Sequence, residues 1–346
     1  MIILEVTKTM KKMIALLLAL LMAVGMLAGC AKQNDDDTDA TTDELSIVAT
    51  IFPEYDWVKA VLGDQADHAD ITMLLDNGVD LHSYQPTADD IVKISDCDLF
   101  LYVGGESEGW VKEALKNSAN KDRKVINLLD VLGDNVKREE VVEGMQEEAH
   151  EHEEGEAHED GEAHEHEEES DEHVWLSLKN AEVLVGAISK ALQELDADNK
   201  EIYAANADAY MKKLSALDVE YQTAVDNATH KTVLFGDRFP FRYLADDYGL
   251  NYYAAFVGCS AETEASFETI SFLAKKVDEL KLPCVLTIEG KNHKIAETIV
   301  KNTAKKSQKI LTMDSMQSTT SKDVASGTTY LSVMEKNLAV LKEALA

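Results

Sequence analysis

Three residues far apart in the chain stand where a ligand-binding protein would present metal chemistry. His82 lies in Leu81-His82-Ser83-Tyr84-Gln85-Pro86-Thr87, after a β-branched run and before the start of a helix. His173 lies in Asp171-Glu172-His173-Val174-Trp175-Leu176, where a long acidic stretch rejoins apolar sequence, and Asp314 follows the apolar run Lys309 to Met313. Two imidazoles and one or more carboxylates converging in a cleft make a first-row transition-metal site of the zinc, manganese or iron type. Taken singly each has a plainer role, a surface or capping histidine and a strand-end N-cap, so the elements that carry them must supply the context.

Those elements alternate. Ser46–Ile51, Ala69–Leu75, Asp98–Val103 and Lys124–Leu129 read as strands, interleaved with helices over Tyr55–Leu62, from Thr87 onward and over Trp110–Lys116. Thr87 is a natural N-cap, followed by Asp89 and Asp90 in the first turn. After His173 the chain turns helical over Leu178–Leu195 and then over Asn199–Asn227, a stretch without Gly or Pro that would reach roughly 43 Å at about 1.5 Å per residue. The alternation resumes with strands at Thr232–Phe235, Tyr252–Val257, Cys284–Ile288 and Lys309–Met313, and helices at Phe241–Tyr248, Phe267–Leu280, Lys294–Lys305 and Thr329–Leu345. This predicts an α/β protein of two lobes, each a mostly parallel sheet flanked by helices, joined by one long rigid helix. The expected boundaries are an N-terminal lobe over 45–138, a helical segment over 173–229 and a C-terminal lobe over 230–346. Ligands of open α/β sheets sit at the carboxyl ends of strands, which places the site in the cleft between the lobes. The long helix predicts only a small closing motion.

The remaining sequence concerns address and charge. Among 346 residues, 33 Lys and Arg face 65 Asp and Glu, a net charge of −32, which excludes a nucleic-acid binder because polyphosphate needs a basic footprint. Residues 139–172 hold 18 acids, five histidines and no Lys or Arg, and the Asp-rich stretch 30–44 follows Cys30. The histidines of the first stretch, His150, His152, His158, His164 and His166, are too polar in context to pack and are expected to be disordered without metal. They read as a weak, multi-site zinc scavenger. At the start, Lys8, Lys11 and Lys12 precede an uncharged run from Met13 to Met26, too short to span a membrane and suited to a signal peptide over residues 1–29. Leu27-Ala28-Gly29-Cys30 looks like a bacterial lipobox, so Cys30 is the expected lipidation site and two acyl chains would hold the protein to the outer face of the cell membrane. Met10 opens an equally ordinary signal sequence, so the first nine residues read as an upstream start. Of the other cysteines, Cys97 reads as a buried thiol, and a Cys259–Cys284 disulfide is permitted by the compartment but not specified by spacing.

Several ordered motifs then combine. Ile51-Phe52-Pro53, the segment Gly78 to Thr87 around His82, Glu172-His173-Val174-Trp175-Leu176 and Thr312-Met313-Asp314-Ser315 resemble the solute-binding lipoproteins that serve bacterial zinc and manganese ABC importers. The resemblance runs from about Leu45 to Ala346. It implies a two-lobed monomeric receptor that binds one metal ion in the cleft and delivers it to a membrane permease driven by ATPase subunits. His82 and His173 then match the first two ligands and Asp314 the carboxylate of the C-terminal lobe, and the His-rich segment is typical of zinc members. Zn2+ is the expected cargo, with Mn2+ or Fe2+ as the alternative. Trp175 is placed to wall the site.

One position departs. The family's third ligand, a His or Glu shortly before a Phe-x-Tyr helix start, falls by register on Arg238 in Gly236-Asp237-Arg238-Phe239-Pro240-Phe241-Arg242-Tyr243. A guanidinium has no acceptor and cannot coordinate. Asp237 is the favoured replacement, with Glu262, Glu264 or Glu289 as others that Arg238 would orient, and a guanidinium at the site also admits an anionic ligand. A zinc hydrolase would need three ligands, an open water position and a general base, and neither His-Glu-x-x-His nor Gly-x-Ser-x-Gly occurs. A surface adhesin or metal-buffering lipoprotein shares the same site and differs only in lacking a transporter.

Overall fold

A computed structural model describes residues 44–146, 169–260, 264–290 and 292–346. The expected signal peptide, Cys30, Glu262 and the five histidines of the acidic stretch lie outside the described residues.

The first sheet contains β1 (Leu45–Ala49), β2 (Ala69–Met73), β3 (Leu99–Tyr102) and β4 (Lys124–Asn127), all parallel, in the order β2-β1-β3-β4. Helices α1 (Phe52–Leu62), α2 (Ala88–Asp96), α3 (Val111–Ala114) and α4 (Leu128–Leu132) connect and cover it. Helix α1 starts three residues earlier than its apolar pattern suggests. Pro53 sits in the first turn, where its missing N–H costs no hydrogen bond, and the Glu54 carboxylate folds back to accept from the backbone N–H groups of Thr50 (2.8 Å) and Ile51 (3.3 Å). Thr87 caps α2 as expected, accepting from the Asp90 N–H while the Asp90 carboxylate accepts from Thr87.

Two helices follow, α5 (Leu178–Leu195), capped by Ser177, and α6 (Lys200–Asp226), 27 residues long. Tyr203, Ala207, Tyr210, Leu214, Leu217, Tyr221 and Val225 recur at helical spacing on the buried face of α6. The Asn206 amide donates to the Val61 carbonyl at the end of α1, and further along α6 the Tyr221 hydroxyl donates to the Met334 carbonyl. One helix is therefore fastened to both lobes.

The second sheet repeats the plan with β5 (Thr232–Phe239), β6 (Asn251–Val257), β7 (Cys284–Thr287) and β8 (Lys309–Thr312), parallel, in the order β6-β5-β7-β8. It carries α7 (Arg242–Tyr248), α8 (Phe267–Leu280), α9 (Lys294–Asn302), the short α10 (Ser321–Ala325) and α11 (Tyr330–Ala344). β7 is buried along its whole length, as a strand covered on both faces must be. The main apolar core runs from Ile47 on β1 to Leu341 on α11, uniting the lobes, and a second cluster, including Leu234, Phe256, Val277 and Ile299, fills the outer side of the second sheet.

Strand β5 is longer than the Thr232–Phe235 run that the sequence suggests, and it contains a bulge. Phe235 pairs with Ala254 and Arg238 with Phe256, so three steps on β5 face two on β6. Gly236 at this bulge lets α9 approach, since a Cβ there would fall 2.6 Å from the Cα of Ala296. The acidic stretch also differs from expectation at both ends. Glu139 N–H donates to the Glu169 carbonyl, Asp171 N–H to the Lys137 carbonyl and Gln146 N–H to the Ala255 carbonyl, so residues 139–146 and 169–172 are part of the folded protein.

Candidate metal centre

The two predicted histidines come together. His82 sits on a single 3-10 turn, Leu81–Ser83, after β2, and His173 immediately precedes another, Val174–Leu176. Their Nε2 atoms are 3.2 Å apart. Two ligand nitrogens on a tetrahedral zinc, with Zn–N of about 2.0–2.1 Å, lie about 3.3 Å apart, so this spacing already suits one ion between them.

Each ring is held by its other nitrogen. His173 Nδ1 is 2.9 Å from Asp171 Oδ1, which also accepts the His173 backbone N–H at 2.9 Å, and the His173 side chain is wholly buried. His82 Nδ1 is 2.7 Å from Ser107 Oγ and 3.3 Å from Glu172 Oε2. When Nδ1–H donates to a carboxylate, the lone pair sits on Nε2, the atom facing the partner ring. Burial works against ionisation of Glu172, yet hydrogen bonds from His82 and Ser107 outweigh it and hold this carboxyl below its ordinary range. Asp171 is itself anchored from the other lobe, where the Tyr243 hydroxyl donates to its carbonyl at 2.8 Å. Trp175 packs beside the His173 ring, with centroids 5.2 Å apart, and donates from Nε1 to the Ser315 carbonyl.

The third member of the cluster is Cys259. Among the described residues its Sγ and the two imidazoles form the group whose ligand atoms all lie within 4.8 Å of one another. It follows β6 and shares the carboxyl-end edge of the second sheet, just as His82 shares that of the first. Glycine at 258 is required by this approach, because a Cβ would lie 2.9 Å from His173 Cε1 and 3.0 Å from its Nδ1. The Cys259 N–H donates to Glu139 Oε1 at 3.0 Å. Burial, with Glu139 nearby, pushes the free thiol well above its ordinary pKa. Cys97, Cys259 and Cys284 are all free thiols, so the permitted Cys259–Cys284 disulfide is not formed.

Asp237, Arg238 and Asp314 lie outside that three-residue group. The bulge turns Asp237 toward the backbone, where its carboxylate accepts from the N–H groups of Arg238 (2.9 Å) and Ile288 (3.4 Å). Arg238 is engaged elsewhere: its Nη2 donates to Asp80 Oδ2 at 2.5 Å and its Nη1 to the Ser260 carbonyl at 3.4 Å. Burial opposes the charge on Asp80, but the Arg238 guanidinium outweighs it and holds the carboxyl low. Asp80 Oδ1 in turn accepts from the His82 N–H. A guanidinium committed in this way neutralises a carboxylate and offers little to an anionic ligand. Asp314 follows β8, its Oδ1 accepting from the Met316 N–H, and burial with the Glu289 charge raises its pKa to about 6. Glu289 is occupied in shaping that loop, accepting from the backbone N–H groups of Ser315 and Gln317 and the hydroxyls of Ser315 and Ser318.

The profile of the family described as zinc-uptake complex component A, periplasmic, matches residues 47–344. The chain belongs to this family. The zinc-binding lipoprotein AdcA of Streptococcus pneumoniae is 34% identical over 332 residues, covering 96% of this chain and 61% of the relative, so the chain spans about three fifths of that protein's length. The high-affinity zinc uptake system protein ZnuA of Bacillus subtilis is 30% identical, with 92% of this chain and 94% of the relative covered. The Zn(II)-bound ZnuA-like domain of the pneumococcal AdcA superposes with a TM-score of 0.65 at 31% identity, over 87% of this chain and 99% of the domain. The family and the two-lobed fold are thus those implied by the motifs around His82, His173 and Asp314. Among the described residues no helix is long and apolar enough to cross a membrane.

Proposed function

We propose that this protein is the extracytoplasmic receptor of a metal ABC importer, capturing Zn2+ in the cleft and passing it to a membrane permease powered by ATPase subunits. The observation that carries the reading is the pair of imidazoles with Nε2 atoms 3.2 Å apart, each oriented through Nδ1 by a carboxylate or hydroxyl. Imidazole favours zinc over manganese among the ions considered, and the relatives above are named for zinc. Asp314 is proposed as the carboxylate ligand of the C-terminal lobe, since Glu289 beside it is occupied by four donors. Lipid attachment at Cys30 would keep a monomeric receptor beside its permease, and the histidines at 150, 152, 158, 164 and 166 would gather ions weakly near the cleft.

Calorimetric titration of the protein with Zn2+ and Mn2+ tests this. One tight Zn2+ site is expected, with His82→Ala or His173→Ala weakening it at least tenfold, a loss of about 1.4 kcal/mol or more, and Asp314→Ala weakening it as well. Unchanged zinc affinity in both histidine variants would sink the assignment.

A further inference from the structure

We infer that Cys259 is a metal ligand, binding as thiolate in the place that sequence register gives to Arg238, so that the cleft offers two histidines and one cysteine beside the Asp314 carboxylate. This rests on the receptor reading above and adds the chemical class of ion that the cleft selects.

The argument is geometric. A zinc held by one imidazole at about 2.05 Å and one thiolate at about 2.3 Å places nitrogen and sulfur about 3.6 Å apart. The Cys259 sulfur and both histidine nitrogens already lie within 4.8 Å of one another, so a side-chain adjustment of about an ångström completes the triangle. The backbone is arranged for that approach. Gly258 lets the loop after β6 lie against the His173 ring, Glu139 holds the Cys259 N–H, and Arg238 grips the next residue's carbonyl at Ser260 while pairing with Asp80, which braces the His82 turn. Arg238 thus ties together the two loops that carry a histidine ligand and the thiol. It acts as a positioning residue for a ligand 21 positions downstream. Cys259 is a free thiol, and therefore available.

A thiolate changes what the cleft prefers. Soft sulfur ligands favour zinc and other thiophilic ions, whereas manganese favours oxygen. The site should therefore discriminate against Mn2+ more strongly than an all-nitrogen-and-oxygen site would.

Cobalt(II) gives a direct readout, because a thiolate bound to Co2+ produces a ligand-to-metal charge-transfer band in the near ultraviolet that imidazole and carboxylate do not. The full-length protein in detergent is titrated with Co2+ alongside Cys259→Ser, Cys259→Ala and His82→Ala, after confirming that the variants unfold at wild-type temperatures without metal. The expected result is a charge-transfer band in the wild type that saturates with one Co2+, disappears in both Cys259 variants, and is displaced by Zn2+. Zinc affinity should fall at least tenfold in Cys259→Ser and the preference for Zn2+ over Mn2+ should narrow. Histidines outside the described residues cannot mimic the band, because they carry no sulfur. Co2+ bound through His82 without the band, or a Cys259→Ser variant with unchanged zinc affinity and selectivity, would overturn the assignment and leave the receptor reading standing. No Co2+ or Zn2+ site at all would overturn both.

Discussion

On the receptor reading, Asp171 would act on the ion without touching it. Its carboxylate fixes the tautomer and tilt of a wholly buried His173 ring by accepting at Nδ1 and at the backbone N–H. Partners of this kind commonly contribute 10- to 100-fold to metal affinity, so Asp171→Asn is expected to lower zinc affinity by about tenfold or more while leaving the unfolding temperature of the metal-free protein nearly unchanged. Calorimetry paired with thermal melts checks both halves, and a large stability loss would reassign Asp171 to a structural role. At this scale the sequence was informative about His82 and His173, because each interrupts a motif of otherwise structural residues. About the neighbourhood of Arg238 it said less. Counting residues places Arg238 at the family's ligand position, where a guanidinium cannot coordinate, but its pairing with Asp80 and Ser260 depends on a bulge between Phe235 and Arg238 that leaves no mark in composition. Cys259 was legible only as a cysteine with an uncertain partner, since nothing local says that its strand ends beside His173.

The elements were legible through their hydrophobic periods, and their ends less so. Helices α5 and α8 begin and end where the apolar pattern does, each behind a serine N-cap. Helix α1 begins earlier because the buried Glu54 carboxylate folds back onto Thr50 and Ile51, a local cap that the apolar period does not register, and α10 is too short for a periodic signal. The burial has a measurable cost. Desolvation raises the pKa of Glu108, at the carboxyl end of the first sheet, to about 8, and the same burial, with Glu108 adjacent, raises Glu54. Between the ordinary glutamate value of about 4.3 and about 8, the folded protein keeps a proton that the unfolded chain has lost, so stability falls as pH rises through that window. Replacing Glu108 with Gln removes this contribution. The variant's melting temperature in chelator should therefore gain on the wild type between pH 5 and pH 8, and parallel pH profiles would show that Glu108 ionises freely in the fold.

At the scale of the molecule, the two lobes and the joining helix follow from βα alternation interrupted by a long stretch free of Gly and Pro, and the TM-score of 0.65 to the pneumococcal domain agrees. What composition obscured is where the acidic stretch stops being a spacer. By charge it runs from Glu139 to Glu172, but its two ends supply Glu139, Asp171 and Glu172 to the centre. Deleting only residues 147–168 is therefore expected to leave the tight zinc site intact and remove weaker ones, whereas deleting 139–172 should abolish tight binding. Equal affinity in the two deletions, read by titration, would show that these carboxylates do not support the histidines.

Helix α6 has a mechanical consequence. It is a rod of about 40 Å at 1.5 Å per residue, bonded near one end to the Val61 carbonyl and further along to that of Met334, with a row of tyrosines and leucines buried beneath it. Such a rod is stiff in bending, so on the receptor reading the spacing between lobes is expected to follow a covalent element and not the ion. Binding and release of zinc should then move a few side chains and two loops, and a spectroscopic ruler spanning the lobes is expected to read the same length before and after.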